Sequence, residues 1–217
     1  MRIRSQVTLV MLAISVLFCQ QSFGRDTSAK NETLLDATSP FEDITEFSLA
    51  KDFASVKKQL LVAEKNSVTV KPILTVEVAK RYDGLMDSLR KAAADQAHLV
   101  AADDAIELFR LLIDSLDAAH LEVPKEVSLL DYVGLKVHVL TASPKPDWNA
   151  IRKTVDEGSK WWKAIESKVT DKKLRDAVAT TVRGLQVAAK AENLPMVNFA
   201  AQIDLDLVDL LESAFEH

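Results

Sequence analysis

From about residue 34 onward, apolar residues return every three or four positions. The clearest row is Trp148, Ile151, Val155, Gly158, Trp162, Ile165 and Val169, spaced 3–4–3–4–3–4. Such spacing keeps one stripe on one side of an α-helix and predicts a bundle helix. Leu49, Phe53, Val56, Leu60 and Ala63 repeat the pattern, as do Val78, Tyr82, Leu85, Leu89 and Ala92. Residues 105–116 are apolar on more than one side, which predicts a deeply buried helix. Residues 203–215 carry two adjoining rows, Ile203/Leu207/Leu210/Ala214 and Leu205/Val208/Leu211/Phe215, and both are expected to be largely buried. Met196 and Phe199 extend the first of these rows and read as core positions. Residues 67–70 are the one strand-like stretch, too short to support a sheet.

The six prolines fall between these runs or at their starts, where a residue without an amide donor does least harm to a helix. Asp147 and Asp171 each precede a run and are expected to cap it. The predicted helices are 34–47, 49–66, 72–94 and 98–119, then 127–142, 147–169, 171–191 and 195–215.

Shifted against itself by 95 positions, the chain matches in three blocks. Leu34-Leu35-Asp36 lies over Leu129-Leu130-Asp131, Asp52-Phe53 over Asp147-Trp148, and Leu112-Ile113-Asp114 over Leu207-Val208-Asp209. Between the last two blocks Leu89 and Ala92-Ala93 match at an offset of 96, so one gap is required. The fold expected is therefore an all-α antiparallel helix bundle, two tandem copies of a three- to four-helix unit packed into one compact body. The copies span 34–120 and 127–217, joined by a linker at 121–126, with a flexible segment at 25–33.

Residues 1–24 read as a secretory signal peptide. Arg2 and Arg4 precede an apolar run from Val7 to Phe18, and cleavage is expected between Gly24 and Arg25. The run is shorter than the roughly 20 residues that span a bilayer, so no permanent membrane span is expected after cleavage. Cys19 could mark a lipoprotein, but Phe18 stands where a small residue is required. Cleavage would remove the only cysteine and with it any disulfide or thiolate chemistry. Two arginines and no acids leave with the segment, so the net charge moves from −5 to −7. An acidic chain of this kind does not offer the clustered Lys and Arg of a nucleic-acid surface. Periplasmic or secreted localisation follows.

Candidate chemistry is sparse. Asp95 and His98, and Asp117 and His120, have the spacing that sets a carboxylate and an imidazole one helical turn apart, as in Glu-x-x-His metal elements. Acids are common enough here that such spacings arise by chance, and neither pair is repeated in the second unit. A haem between helices would take inward His or Met ligands. Met86 and Met196 read instead as core, and His138 as a polar flank. No serine sits in a Gly-x-Ser-x-Gly elbow, and no glycine-rich phosphate loop is present. Gly84, Gly134, Gly158 and Gly184 fall inside predicted helices, where they would let neighbouring helices approach closely. Asp103-Asp104 would do acid–base work only if burial shifted it. The acids of the last helix, Asp204, Asp206, Asp209, Glu212 and Glu216, read as a solvated face. Asn31-Glu32-Thr33 fits a glycosylation sequon. Trp161, turned about 100° from the seam residue Trp162, is the candidate for partner binding.

The expectation is an exported helical-bundle protein, non-enzymatic, acting as a binding or scaffold protein of the cell envelope on an unknown envelope protein or small ligand. No cofactor is predicted. The alternative is a periplasmic bundle that binds a metal or haem.

Overall fold

In the computed structural model, which describes residues 27–216, every regular element among those residues is helical. Helix α1 spans 27–36. It is followed by α2 (Ser39–Leu49), α3 (Phe53–Val70), α4 (Val76–Ala94), α5 (His98–Asp114), α6 (Lys125–Thr141), α7 (Trp148–Ile165), α8 (Lys172–Lys190) and α9 (Leu194–Phe215). The proposed signal segment, Gly24 and Arg25 included, lies outside the described residues.

Side chains close the helix starts where their types predict. Asp147 accepts from the amides of Asn149 and Ala150, and Asp171 from those of Lys173 and Leu174. Asp52, Thr75 and Asn193 cap α3, α4 and α9 in the same way. Each cap satisfies first-turn N–H groups that have no intrahelical partner. Residues 67–70, strand-like in composition, are the last turn of α3. Four β-branched or small residues cannot leave a helix that is already nucleated and packed against its neighbours. The expected helix 98–119 stops at Asp114, and a short 3₁₀ turn, Ala118–His120, capped by the Asp117 side chain, follows.

The segment expected to be irregular is helical from residue 27, and Asn31 within it is only 3% exposed. Its side-chain amide donates to the Asp117 carbonyl and accepts from the Asp117 amide, both at 2.9 Å. The sequon is thus closed in the folded chain: the nitrogen a glycan would take is inside a hydrogen bond.

Within the first half α2 packs on α3 and α5, and α4 on α3 and α5. Within the second, α6 packs on α7 and α9, and α8 on α7 and α9. The halves meet where α6 lies against α5 and α2. Helices α3 and α7 have 18 residues each, and α4 and α8 have 19 each. A three-residue 3₁₀ turn follows both α3 and α7. A left-handed residue follows both α4 (Gln96, φ 54°) and α8 (Glu192, φ 53°). The shift between these pairs is 95 up to the 3₁₀ turns and 96 from the next N-cap, so the extra residue sits just before Asp171. The halves differ at their starts. Pro40 cannot continue a helix entering from Asp36, so α1 and α2 break at Ala37-Thr38, whereas α6 runs unbroken.

One continuous core, including Leu34, Phe41, Leu89, Phe109, Val133, Ile151 and Ala201, runs through both halves. A second cluster of Val127, Trp162, Ile165, Val178 and Leu211 fills the far end of the second half. The α7 row is buried from Ile151 to Ile165 as its spacing predicts, while Trp148 is half-buried and Val169, also buried, lies beyond the helix end. Two of the four helical glycines set close approaches. A Cβ on Gly134 would stand 2.5 Å from Leu205 Cδ2, and one on Gly158 2.8 Å from Val133 Cγ2. Gly84 and Gly184 do not: a Cβ there would meet open space.

Candidate functional site

The structure places the two Asp–His pairs differently. Asp95 ends α4 and His98 begins α5, so the left-handed turn at Gln96 separates them instead of a helical repeat. Asp117 and His120 do approach, with Nδ1 3.4 Å from Oδ2, but both are well exposed on a surface turn. Among the described residues no group of three or more His, Cys, Asp or Glu side chains is placed to hold a metal ion.

Trp161 is half-buried, and its ring is already engaged. Tyr132 meets it edge-on with centroids 6.3 Å apart, and the Arg110 guanidinium lies over both rings, 5.3 and 4.9 Å from their centroids. This stack belongs to a polar seam between the halves. Arg110 donates to Glu157 of α7 at 3.0 Å, and the Tyr132 hydroxyl donates to Glu107 at 2.9 Å. Lys136 of α6 reaches both Asp103 and Glu107 of α5. Burial works to raise Glu107, but the Lys136 ammonium and the Tyr132 hydroxyl hold it below its usual range. Burial and the Glu107 charge push Tyr132 up to about 12. Asp103 is paired with Lys136, whereas Asp104, beside it, is raised by burial and then by the Asp103 charge, and its Oδ2 has no hydrogen-bond partner. The spacing of Asp103, Glu107 and Arg110 on one side of α5 was visible in the sequence; their partners on α6 and α7 were not.

Between α2, α6 and α9 lies a cleft of about 470 Å³ lined by Glu42, Glu46, Asp131, His138, Asp206 and Asp209, with Leu49, Leu135, Gln202 and Leu205. Among the described residues no Lys or Arg lines it. Burial first, then the charges of Asp131 and Glu212, push Glu42 up to about 8. Burial, then Glu212 and Asp209, push Asp131 up to about 7. Asp204, expected on a solvated face, is 1% exposed, and its Oδ2 has no hydrogen-bond partner. Burial and the Asp131 charge raise it to about 8. It is enclosed because it belongs to the row Val197, Ala201, Asp204, Val208 and Leu211, whose 4–3–4–3 spacing packs inward. His138, the expected polar flank, also contributes a buried Nε2 without a partner, and burial lowers its pKa. The cleft can hold protons near neutral pH, and its uncompensated carboxylates repel one another once ionised.

The outer side of α9 departs most from expectation. Met196, Phe199 and Leu210 are 51%, 61% and 55% exposed, and the adjoining Val187 of α8 is 64% exposed. Ile203 and Leu207 are half-buried, and Ala214 is exposed. The row expected to be core is thus largely a surface row: among helices α2–α9, α9 packs closely on α6 and α8, and Val197, Ala201, Asp204, Val208 and Leu211 take those contacts. Where Val187 and Met196 adjoin, Arg183, Gly184, Ala188 and Ala191 complete an open groove of about 450 Å³.

No family model, no curated protein and no solved structure matches the chain.

Proposed function

We propose that the protein is an exported, non-enzymatic binding or scaffold protein of the cell envelope, and that it binds through the outer side of α9. The observation carrying this reading is the exposed row of Met196, Phe199 and Leu210 with Val187 beside it. Scattered exposed apolar residues need no explanation, but a contiguous row of large ones marks an interaction surface. Export rests on the sequence of residues 1–24. No helix among the described residues is long and apolar enough to cross a membrane. We read the two halves as copies of one ancestral unit, a reading supported by the equal helix lengths, the paired 3₁₀ turns and the paired left-handed residues.

The test is expression of the tagged full chain in a bacterial host, with fractionation and sizing of its native complexes. The expected result is a periplasmic or secreted chain that begins at Arg25, and a complex that Phe199→Glu dissolves. A full-length cytoplasmic chain would overturn the export reading. Complexes unchanged by Phe199→Glu would overturn the assignment of the binding face.

A further inference from the structure

The first half packs a leucine where the second half packs Asp204. Helices α5 and α9 share one register at a shift of 96, with N-caps at Ala97 and Asn193. In that register Ala101, Ala105, Leu108 and Leu112 are buried, as are Val197, Ala201, Asp204 and Val208. The place Asp204 holds on α9 is thus filled on α5 by Leu108, which is wholly buried. One helix position takes an aliphatic side chain in one half and a carboxyl in the other, so packing alone does not call for the acid. A buried carboxyl whose Oδ2 has no hydrogen-bond partner is costly once it ionises.

The groups around it are mostly acids. Helix α9 lies so close to α6 that a Cβ on Gly134 would stand 2.5 Å from Leu205 Cδ2. Beside this contact Asp131 and His138 of α6, Glu42 and Glu46 of α2, and Asp206 and Asp209 of α9 line the cleft. Asp131 is the group whose charge acts on Asp204, and Glu212 acts on both Asp131 and Glu42. Burial lowers His138, so it offers no offsetting cation as these acids ionise. The cations of α6 are engaged or placed elsewhere. Lys136 pairs with Asp103 and Glu107 of α5, and Lys125 lines a separate cavity with Glu212 and Glu216. On α8, Lys172, Lys173, Asp176, Arg183 and Lys190 are exposed, and Arg175 donates to the Val169 carbonyl.

Below neutrality Asp204, Asp131 and Glu42 keep their protons, because they are raised to about 8, about 7 and about 8. As pH rises past these values, each proton lost leaves a charge in an enclosed seam beside others of the same sign. Separating α9 from α6 and α2 relieves this, since water then solvates the carboxylates. Helix α9 is placed to give way before its counterpart. Among helices α2–α9 it packs closely on α6 and α8, whereas α5 packs on α2, α4 and α6. Met196, Phe199 and Leu210 are exposed, so little apolar burial holds its outer side. Away from α6, a single helix of this length is marginal in water and its amides exchange.

We propose that α9 is a pH-operated latch: protonated Asp204 and Asp131 keep it seated on α6, and their ionisation releases it. The latch stands independently of the binding reading of the outer side of the same helix. It is tested by hydrogen exchange of the purified chain at pH 6 and pH 8, with the intrinsic rise of exchange with pH divided out. An opening that ionises one carboxyl grows about tenfold per pH unit between its closed and open pKa values. The α9 amides should therefore exchange about a hundredfold faster or more at the higher pH, while those of α5, with Leu108 in the matching place, should not. Asp204→Asn should remove most of that gain. Asp131→Asn, which removes the charge acting on Asp204, should reduce it to a smaller extent and keeps the test open if the first variant disturbs folding. Equal acceleration in every helix would be global unfolding and would overturn the latch. An α9 as protected at pH 8 as at pH 6, or a gain that Asp204→Asn leaves unchanged in a folded chain, overturns it as well.

Discussion

The side-chain amide of Asn31 holds the backbone of Asp117 at both its ends, two 2.9 Å bonds between residues 86 apart in the chain. They fasten α1 to the turn that closes the first half. Without Asn31, the Asp117 carbonyl and amide lose their partners in a partly enclosed place. Asn31→Ala is expected to cost about 1–3 kcal/mol, the usual penalty for unsatisfied polar groups. Urea unfolding should show this, with hydrogen exchange faster in α1 than elsewhere. An unchanged midpoint would mean the two bonds contribute nothing net.

Asp204 makes stability depend on pH with a definite sign. Its carboxyl is raised from 3.8 to about 8 in the folded chain, so the folded state binds the proton more tightly than the unfolded state. The resulting stability is fully present below about pH 4 and is lost as pH rises through about 8. Glu42 and Asp131, raised to about 8 and about 7, act in the same direction. The chain should therefore withstand more urea near pH 5.5 than near pH 9. Asp204→Asn should flatten that profile and add about 1–3 kcal/mol on the alkaline side, by replacing a buried charge with a neutral isostere. A profile of unchanged slope would argue against Asp204 as a source of the dependence.

Lys136 joins the halves by pairing with Asp103 and Glu107. Lys136→Met keeps the length of the side chain but leaves two carboxylates without their cation. A loss of about 1–3 kcal/mol is expected, below the range for fully buried pairs because Asp103 is partly exposed. Adding Glu107→Gln and Asp103→Asn should recover much of it, a coupling that a double-mutant cycle reads directly.

The glycines divide by what surrounds them. Gly134→Ala forces a methyl against Leu205 and toward the Ala201 carbonyl, and should destabilise by about 1–3 kcal/mol through the α6–α9 contact. Gly184→Ala meets open space and should stabilise α8 by about 0.5–1 kcal/mol, because alanine loses less backbone freedom on folding. Thermal unfolding of the two variants should shift in opposite directions.

Local pattern carried much of this architecture. The α7 row is buried from Ile151 to Ile165, with Trp148 half-buried at its start and Val169 buried beyond the helix end, which falls four residues short of the expected 169, and Asp147 and Asp171 cap the helices they precede. Periodicity and capping act over a few residues, so a single chain read in order reveals them. The shift was legible only in part: α3 and α7 keep 95, but α4 and α8, and the N-caps of α5 and α9, keep 96, so the block 112–114 over 207–209 at 95 falls one residue out of register. The candidate surface was legible only as an apolar row and was assigned to the wrong side of the protein.

What the tertiary structure decided is which stripe each helix hides. Helix α9 carries Val197/Ala201/Asp204/Val208/Leu211 and Met196/Phe199/Ile203/Leu207/Leu210/Ala214 side by side. By hydrophobicity the second is the better core row, yet the first is buried and takes Asp204 with it. Periodicity shows that a stripe exists; the number and placement of neighbouring helices decides whether anything covers it. Among helices α2–α9, α9 is flanked closely by two and α5 by three, and Phe199 is open where Asp103 is paired with Lys136.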